Sequence, residues 1–277
     1  MKPFLGIDLT ENKKNKQING QEFLVQKTSA ALTSTLEASS AEAEKTVDSS
    51  KLPLPLRIIQ YVCGIAALLI AGGILEADIS LQEAYNSAPW FFWITGMCAV
   101  IWLILWLCGK QKAKTVLGTD ESAQTFSHLE GTENAIYQEL SVPDNAKDVD
   151  VLLFHYKLKN GEISMQTFQY FNPEFKIFSD DKNLYLANLE GKYAFPLSSV
   201  VKIHTVKKHI RILGWNKEEK CNKGIYKQYK LTTDSYGYVH CKQYHILELN
   251  HQGESVGIYF PCYELPVFVE HIKQKQI

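Results

Sequence analysis

The chain has 277 residues, 45% of them hydrophobic and 21% charged, with a formal net charge of −1. That average conceals unlike parts, so the total charge selects no partner class and the local charge has to be read instead. Six cysteines without a CxxC pair, three of them (Cys63, Cys98 and Cys108) inside apolar runs, exclude the disulfide framework of a small secreted domain and read as reduced thiols.

Residues 1–50 are polar and rich in small side chains, with KKNK and NGQ near the start. Ala, Leu and Glu permit a weak amphipathic helix around Phe23–Lys45, but Ser and Thr dilute it. The segment is expected to be cytoplasmic and largely disordered or transiently helical.

Two uncharged apolar runs follow, Ile58–Leu75 and Trp90–Cys108, of 18 and 19 residues. As helices each spans roughly 27–29 Å, which matches a hydrocarbon core of about 30 Å. They are predicted to be transmembrane helices, with residues 76–89 as an extracytoplasmic loop. Lys45, Lys51 and Arg57 precede the first run, and Lys110, Lys112 and Lys114 follow the second. The loop between them has Glu76, Asp78 and Glu83 but no Lys or Arg, so the positive-inside rule puts both termini in the cytoplasm. Small residues at Cys63, Ala67 and Ala71, and at Thr95 and Ala99, suit close packing of an antiparallel hairpin. Neither run contains an ionisable Asp, Glu, Lys, Arg or His, so the hairpin reads as an anchor rather than a transport pathway, unless an oligomer builds a pore.

Residues 110–147 read as an acidic connector. From residue 148 the pattern alternates with period two, and turn signals separate the runs: Asn160-Gly161, Asp180-Asp181-Lys182-Asn183, Glu190-Gly191 and His251-Gln252-Gly253. Strands are predicted at 149–159, 163–171, 175–178, 184–189, 192–197, 200–206, 225–232, 236–242, 244–250 and 255–260. A helix from Tyr263 follows, because Leu265, Phe268, Val269 and Ile272 have helical spacing. The fold class is a membrane protein: a two-helix transmembrane hairpin plus a mainly antiparallel β domain over residues 148–277, expected to fold alone.

This order of strands closed by one C-terminal helix resembles the pleckstrin-homology-like barrel, in which a terminal helix plugs one end of a curved sheet. NLYLANLEGKYAFPLSSVVKI looks like the early strands of bacterial domains of that kind, and GIYFPCYELPVFVEHI like the last strand and helix. Over nearly its full length the chain is also similar to a two-span membrane-protein family of clostridia-like Firmicutes, through MKPFLGIDLT, KLPLPLRIIQYVCG, LEGKYAFPLSS and GIYFPCYELP. That second resemblance implies no particular activity.

No P-loop, dinucleotide fingerprint, GxSxG or HExxH is present. His240, Cys241 and His245 lie close in sequence, but paired zinc-ligand spacing is absent and alternation puts His240 and Cys241 on opposite faces. No cofactor, metal or nucleic acid is expected. The informative feature is charge: residues 200–230 carry nine basic side chains against Glu218 and Glu219, a local +7, whereas residues 115–198 sum to −7. Beside an anionic inner leaflet, Lys207, Lys208, Arg211, Trp215, Lys217, Lys220 and Lys223 are the candidate contacts to lipid headgroups. The expected function is a membrane-anchored, non-enzymatic binding or scaffolding protein at the plasma membrane, whose β domain contacts anionic lipid or a protein partner. The alternatives are a membrane assembly factor, a small oligomeric channel, or an enzyme domain without a familiar motif.

Overall fold

The computed structural model describes residues 1–8, 20–76, 82, 85–86, 88–159, 162–168, 173–213, 228–234 and 238–272. The chain divides into two compact units: Met1–Ala30 joined with Asn134–Ile277, and Ala31–Glu133. The Asn160-Gly161 turn and most of the loop at 76–89 lie outside the described residues.

Among the described residues four long helices occupy the middle of the chain: α1 (Ala30–Ser50), α2 (Leu54–Glu76), α3 (Pro89–Leu117) and α4 (Asp120–Glu139). α2 and α3 run antiparallel. Gly64 lies flat against the Trp102 indole, where a Cβ would come within 2.9 Å of the ring. Further along, Gly109 faces Leu52, and the Lys112 ammonium donates to the Lys51 carbonyl at 2.7 Å. Among the described residues, α3 alone passes by length and composition as a membrane span, with a mean hydropathy of 2.2. α1 together with Leu54–Leu69 passes only as a pair bent by 53°. One or two helices are thus apolar enough to cross a membrane.

The acidic connector is mostly helical. α3 continues past the apolar run to Leu117, and Gly118 ends it with its N–H on the Lys114 carbonyl at 3.1 Å. Thr119 then caps α4, its hydroxyl accepting the Ser122 N–H at 3.2 Å, and Asp120 and Glu121 place negative charge at the positive end of the helix. α1 is also a full helix, although Ser and Thr dilute it. Its hydroxyls bond back to carbonyls three or four residues earlier, as Thr35 does to Ala31 at 2.9 Å. α1 and α4 meet through small groups: Ser39 Oγ lies 3.1 Å from His128 Nδ1 and 3.5 Å from Thr132 Oγ1, with Ala43 buried nearby in the chain.

The β unit carries, in chain order, β1 (Lys2–Pro3), β2 (Gly6–Asp8), β3 (Leu24–Lys27), β4 (Lys147–Asp150), β5 (Phe154–Lys159), β6 (Glu162–Phe168), β7 (Glu174–Ser179), β8 (Asn183–Asn188), β9 (Gly191–Pro196), β10 (Val200–Val206), β11 (Ile210–Leu213), β12 (Thr232–Thr233), β13 (Tyr238–Cys241), β14 (Tyr244–His251), β15 (Glu254–Pro261) and then α5 (Leu265–Ile272). β4, β7, β8 and β9 form an antiparallel meander, and β10, β14 and β15 form a second. Two smaller, separate sheets have the orders β2-β5-β6 and β11-β13-β12.

The N-terminal segment corrects the sequence expectation. It is built into the β unit: β1 pairs parallel with β15, β2 parallel with β5, and β3 antiparallel with β9. The β unit is therefore not confined to residues 148–277. Strands of two to four residues carry no periodic signal of their own. These strands exist because the edges they pair with supply the hydrogen bonds, such as Phe4 N–H to the Gly257 carbonyl at 2.7 Å.

β14 and β15 are buried on both faces. Leu247, Leu249, Val256, Ile258 and Phe260 point into a core shared with Phe175, Ile177, Leu184, Leu186 and Phe195 of the first meander. Tyr244, Ile246 and Tyr259 point the other way, toward Phe154, Ile210, Ile212 and Val239. Phe4 sits in the first core, fully buried, with rings of Phe23, Tyr193 and Phe195 within 4.9–6.2 Å. α5 closes that core, Phe268 stacking on Phe260 at 3.9 Å.

Candidate functional site

Of the seven predicted lipid contacts, the described structure places three. Lys207 and Lys208 are exposed on the turn between β10 and β11. Arg211 is not an outward finger. It lies in β11, its Nη2 donating to Asp234 Oδ2 at 3.0 Å, and its guanidinium covers the Tyr238 ring at 4.6 Å. Trp215, Lys217, Lys220 and Lys223 lie outside the described residues.

The alternating sequence puts Arg211 and His240 directly across from each other in the β11–β13 register. That pairing assembles a polar network the sequence search passed over. Asp234 is fixed first: its Oδ1 accepts the Tyr238 backbone N–H at 3.1 Å, and its own N–H donates to the Tyr238 carbonyl at 3.0 Å. Asp234 Oδ2 then faces His240 Nε2 at 3.0 Å. The other nitrogen of that ring, Nδ1, lies 3.0 Å from Nε2 of His209, which stands exposed on the basic turn. Cys241, one residue on, is fully buried in the second core, as alternation requires. The signal was available in HxRxL against YxHC, but reading it needs the β11–β13 register.

A second network lies along β10 and β14. His204 Nε2 contacts Glu248 Oε2, and the Ser255 hydroxyl donates to Glu248 Oε1 at 2.9 Å. These two bonds hold the Glu248 carboxyl below the usual carboxylate range. The carboxylate stands between serine and imidazole, so the imidazole has no path to activate the hydroxyl as a nucleophile.

A third cluster is sealed from solvent. The Tyr263 hydroxyl donates to Asp150 Oδ2 at 2.6 Å, and the Asp150 N–H donates to Glu264 Oε1 at 3.2 Å, with all three residues at most 2% exposed. Burial and the adjacent carboxylates push the Tyr263 phenol well up, so it stays a donor. A hydrogen bond with Cys241 draws the Cys262 thiol down. This cluster ties β4 to the entry of α5 and reads as structural.

The chain matches no family model, no curated protein and no solved structure.

Proposed function

We propose that this is a two-span integral membrane protein that holds a pleckstrin-homology-like β unit at the cytoplasmic face as a non-enzymatic binding or scaffolding module. The observation that carries this reading is the pairing of β1, β2 and β3 with β15, β5 and β9. Segments that share one sheet occupy one aqueous compartment, since a bilayer core leaves no place for open strand edges. The number of membrane crossings between Ala30 and Asn134 is then even. α3 accounts for one. α2, 23 residues and about 34 Å long, is the helix with the apolar length for the other.

Antiparallel strands closed by α5 support the pleckstrin-homology-like reading, and the basic residues flanking α2 and α3 support a cytoplasmic β unit. On that unit the Lys207–Lys208 turn is the candidate contact to anionic headgroups, where each cation near the surface contributes about 1 kcal/mol.

Topology mapping tests the reading. Cys63, Cys98, Cys108 and Cys221 are replaced by serine, and single cysteines are introduced as Ser80→Cys or Asn250→Cys. An impermeant maleimide is expected to label the first in intact cells and the second only after lysis. Labelling of Asn250→Cys in intact cells overturns it. For the lipid contact, a fluorophore at Lys242→Cys in proteoliposomes is expected to be quenched by lipid-borne quenchers in anionic more than in neutral bilayers. Equal quenching in the two removes the lipid.

A further inference from the structure

We infer that His209 and His240 form a binding site for a divalent transition-metal ion of the zinc class. Their facing nitrogens, His209 Nε2 and His240 Nδ1, are 3.0 Å apart. Two imidazoles on one tetrahedral zinc, with Zn–N bonds of 2.0–2.1 Å, hold their nitrogens about 3.3 Å apart. Binding needs the pair to open by about 0.3 Å and the rings to turn until both lone pairs meet at one point off the N···N line, and His209 stands exposed on a turn with room for this.

The remaining half of the site is already in place. A metal-bound histidine characteristically donates its other N–H to a carboxylate, which fixes the tautomer and raises ligand basicity. His240 does this: its Nε2 faces Asp234, a carboxylate accepts only, and so the proton lies on Nε2 and the lone pair on Nδ1. Asp234 is in turn held by Arg211 and by the Tyr238 N–H. His209 contributes its lone pair by moving one proton from Nε2 to Nδ1 through solvent. Metal entry therefore replaces the His–His hydrogen bond with two metal–nitrogen bonds and releases no net proton from the neutral pair.

Among the described residues no group of three or more His, Cys, Asp or Glu converges on one point. Among the described residues the site thus supplies two ligands, with water as the complement in this proposal. Imidazole ligands favour zinc, copper and nickel over calcium or magnesium. Lys207, Lys208 and Arg211 oppose a dication, but the two lysines are exposed and solvent screens them.

The test is calorimetric titration of the full-length protein in detergent with zinc chloride, with cobalt(II) absorption as a second readout. The wild type is expected to bind one equivalent whose cobalt complex lacks thiolate charge-transfer bands. His209→Ala, on an exposed turn where folding is not at stake, is expected to abolish that equivalent, as is His240→Ala. Asp234→Asn is expected to weaken it about tenfold. Cys221→Ser is expected to leave it unchanged. Absence of a saturable equivalent in the wild type, its survival in His209→Ala, or its loss in Cys221→Ser each overturns the site.

Discussion

The β unit and the α2–α3 pair are both rich in apolar side chains, yet they dispose of them in opposite ways. In the β unit Phe4, Phe195 and Phe260 are wholly buried, while on the helices Leu68 and Trp93 are more than 70% exposed. Water drives the first arrangement, because burial gains roughly 25 cal/mol per Å² of apolar surface. It cannot tolerate the second on this scale, since contiguous apolar faces of that extent mark a protein or membrane contact. One chain thus disposes of its apolar surface in two ways, and the N-terminal strands bridge the two by preceding the helices in sequence while belonging to the β unit in space.

The largest test of that comparison is to remove the bridge. Residues 134–277 alone lack β1, β2 and β3, together with Phe4, Leu5 and Phe23 of the first core. That fragment is expected to show no cooperative melting by circular dichroism, whereas residues 1–29 fused to it through a flexible linker are expected to restore it. Cooperative melting of the fragment by itself breaks the comparison and returns the N-terminal strands to an accessory role.

A single side chain probes the same point more finely. Phe4→Ala in the fusion is expected to cost about 3–5 kcal/mol in denaturant unfolding, as for large buried aromatics generally. Trp93→Ala, at a position 71% exposed on α3, removes nothing from that core. Measured in the full chain, it is expected to leave unfolding of the β unit unchanged.

Backbone approach gives a smaller effect. A Cβ at Gly191 would lie 2.6 Å from the Gln26 carbonyl oxygen and 2.7 Å from Leu24 Cδ1, so Gly191→Ala forces β3 away from β9. The expected cost is about 1–3 kcal/mol, with faster amide exchange concentrated in 24–27 and 191–193. Uniform exchange changes across the unit contradict a local origin.

Acidification supplies the smallest effect. Burial lowers the titration of His245 and His271, and each has a buried Nε2 that meets no hydrogen-bond partner among the described residues. The neutral forms are favoured on folding, so the unfolded chain binds more protons once pH falls below about 6.5, the ordinary histidine value. Stability is full above that pH and declines as pH drops toward the lowered folded values. The melting temperature of the fusion is expected to fall between pH 7.5 and pH 5.5, and His245→Asn to flatten the slope. An unchanged slope in that variant assigns the acid limb to other groups.

Much of the β unit was legible from local pattern. Alternation in NLYLAN and GKYAFP marks β8 and β9, with Asn188 turning the chain between them by accepting the Glu190 and Gly191 N–H groups. β11 was not legible, because the four residues IRIL are too short a run for their alternation to mark a strand. The helices of the connector were not legible, because acidic composition says nothing about caps until Gly118 is seen to end α3 and Thr119 to open α4. Among the described lipid-contact candidates, Lys207 and Lys208 are exposed and Arg211 is taken up by Asp234, while the other four lie outside the described residues.

What the sequence determined by itself is what depends on neighbours along the chain. It specified apolar runs of membrane length, the excess of basic residues at their ends, the period of the strands and the spacing of α5. What only the tertiary structure decided is what depends on residues far apart: β1 against β15, Phe4 among rings up to 191 positions away, and His209 beside His240 across 31 positions. Strand edges accept any partner of suitable shape, since backbone hydrogen bonds carry no sequence label. The choice among partners is therefore made by the burial that the whole fold achieves.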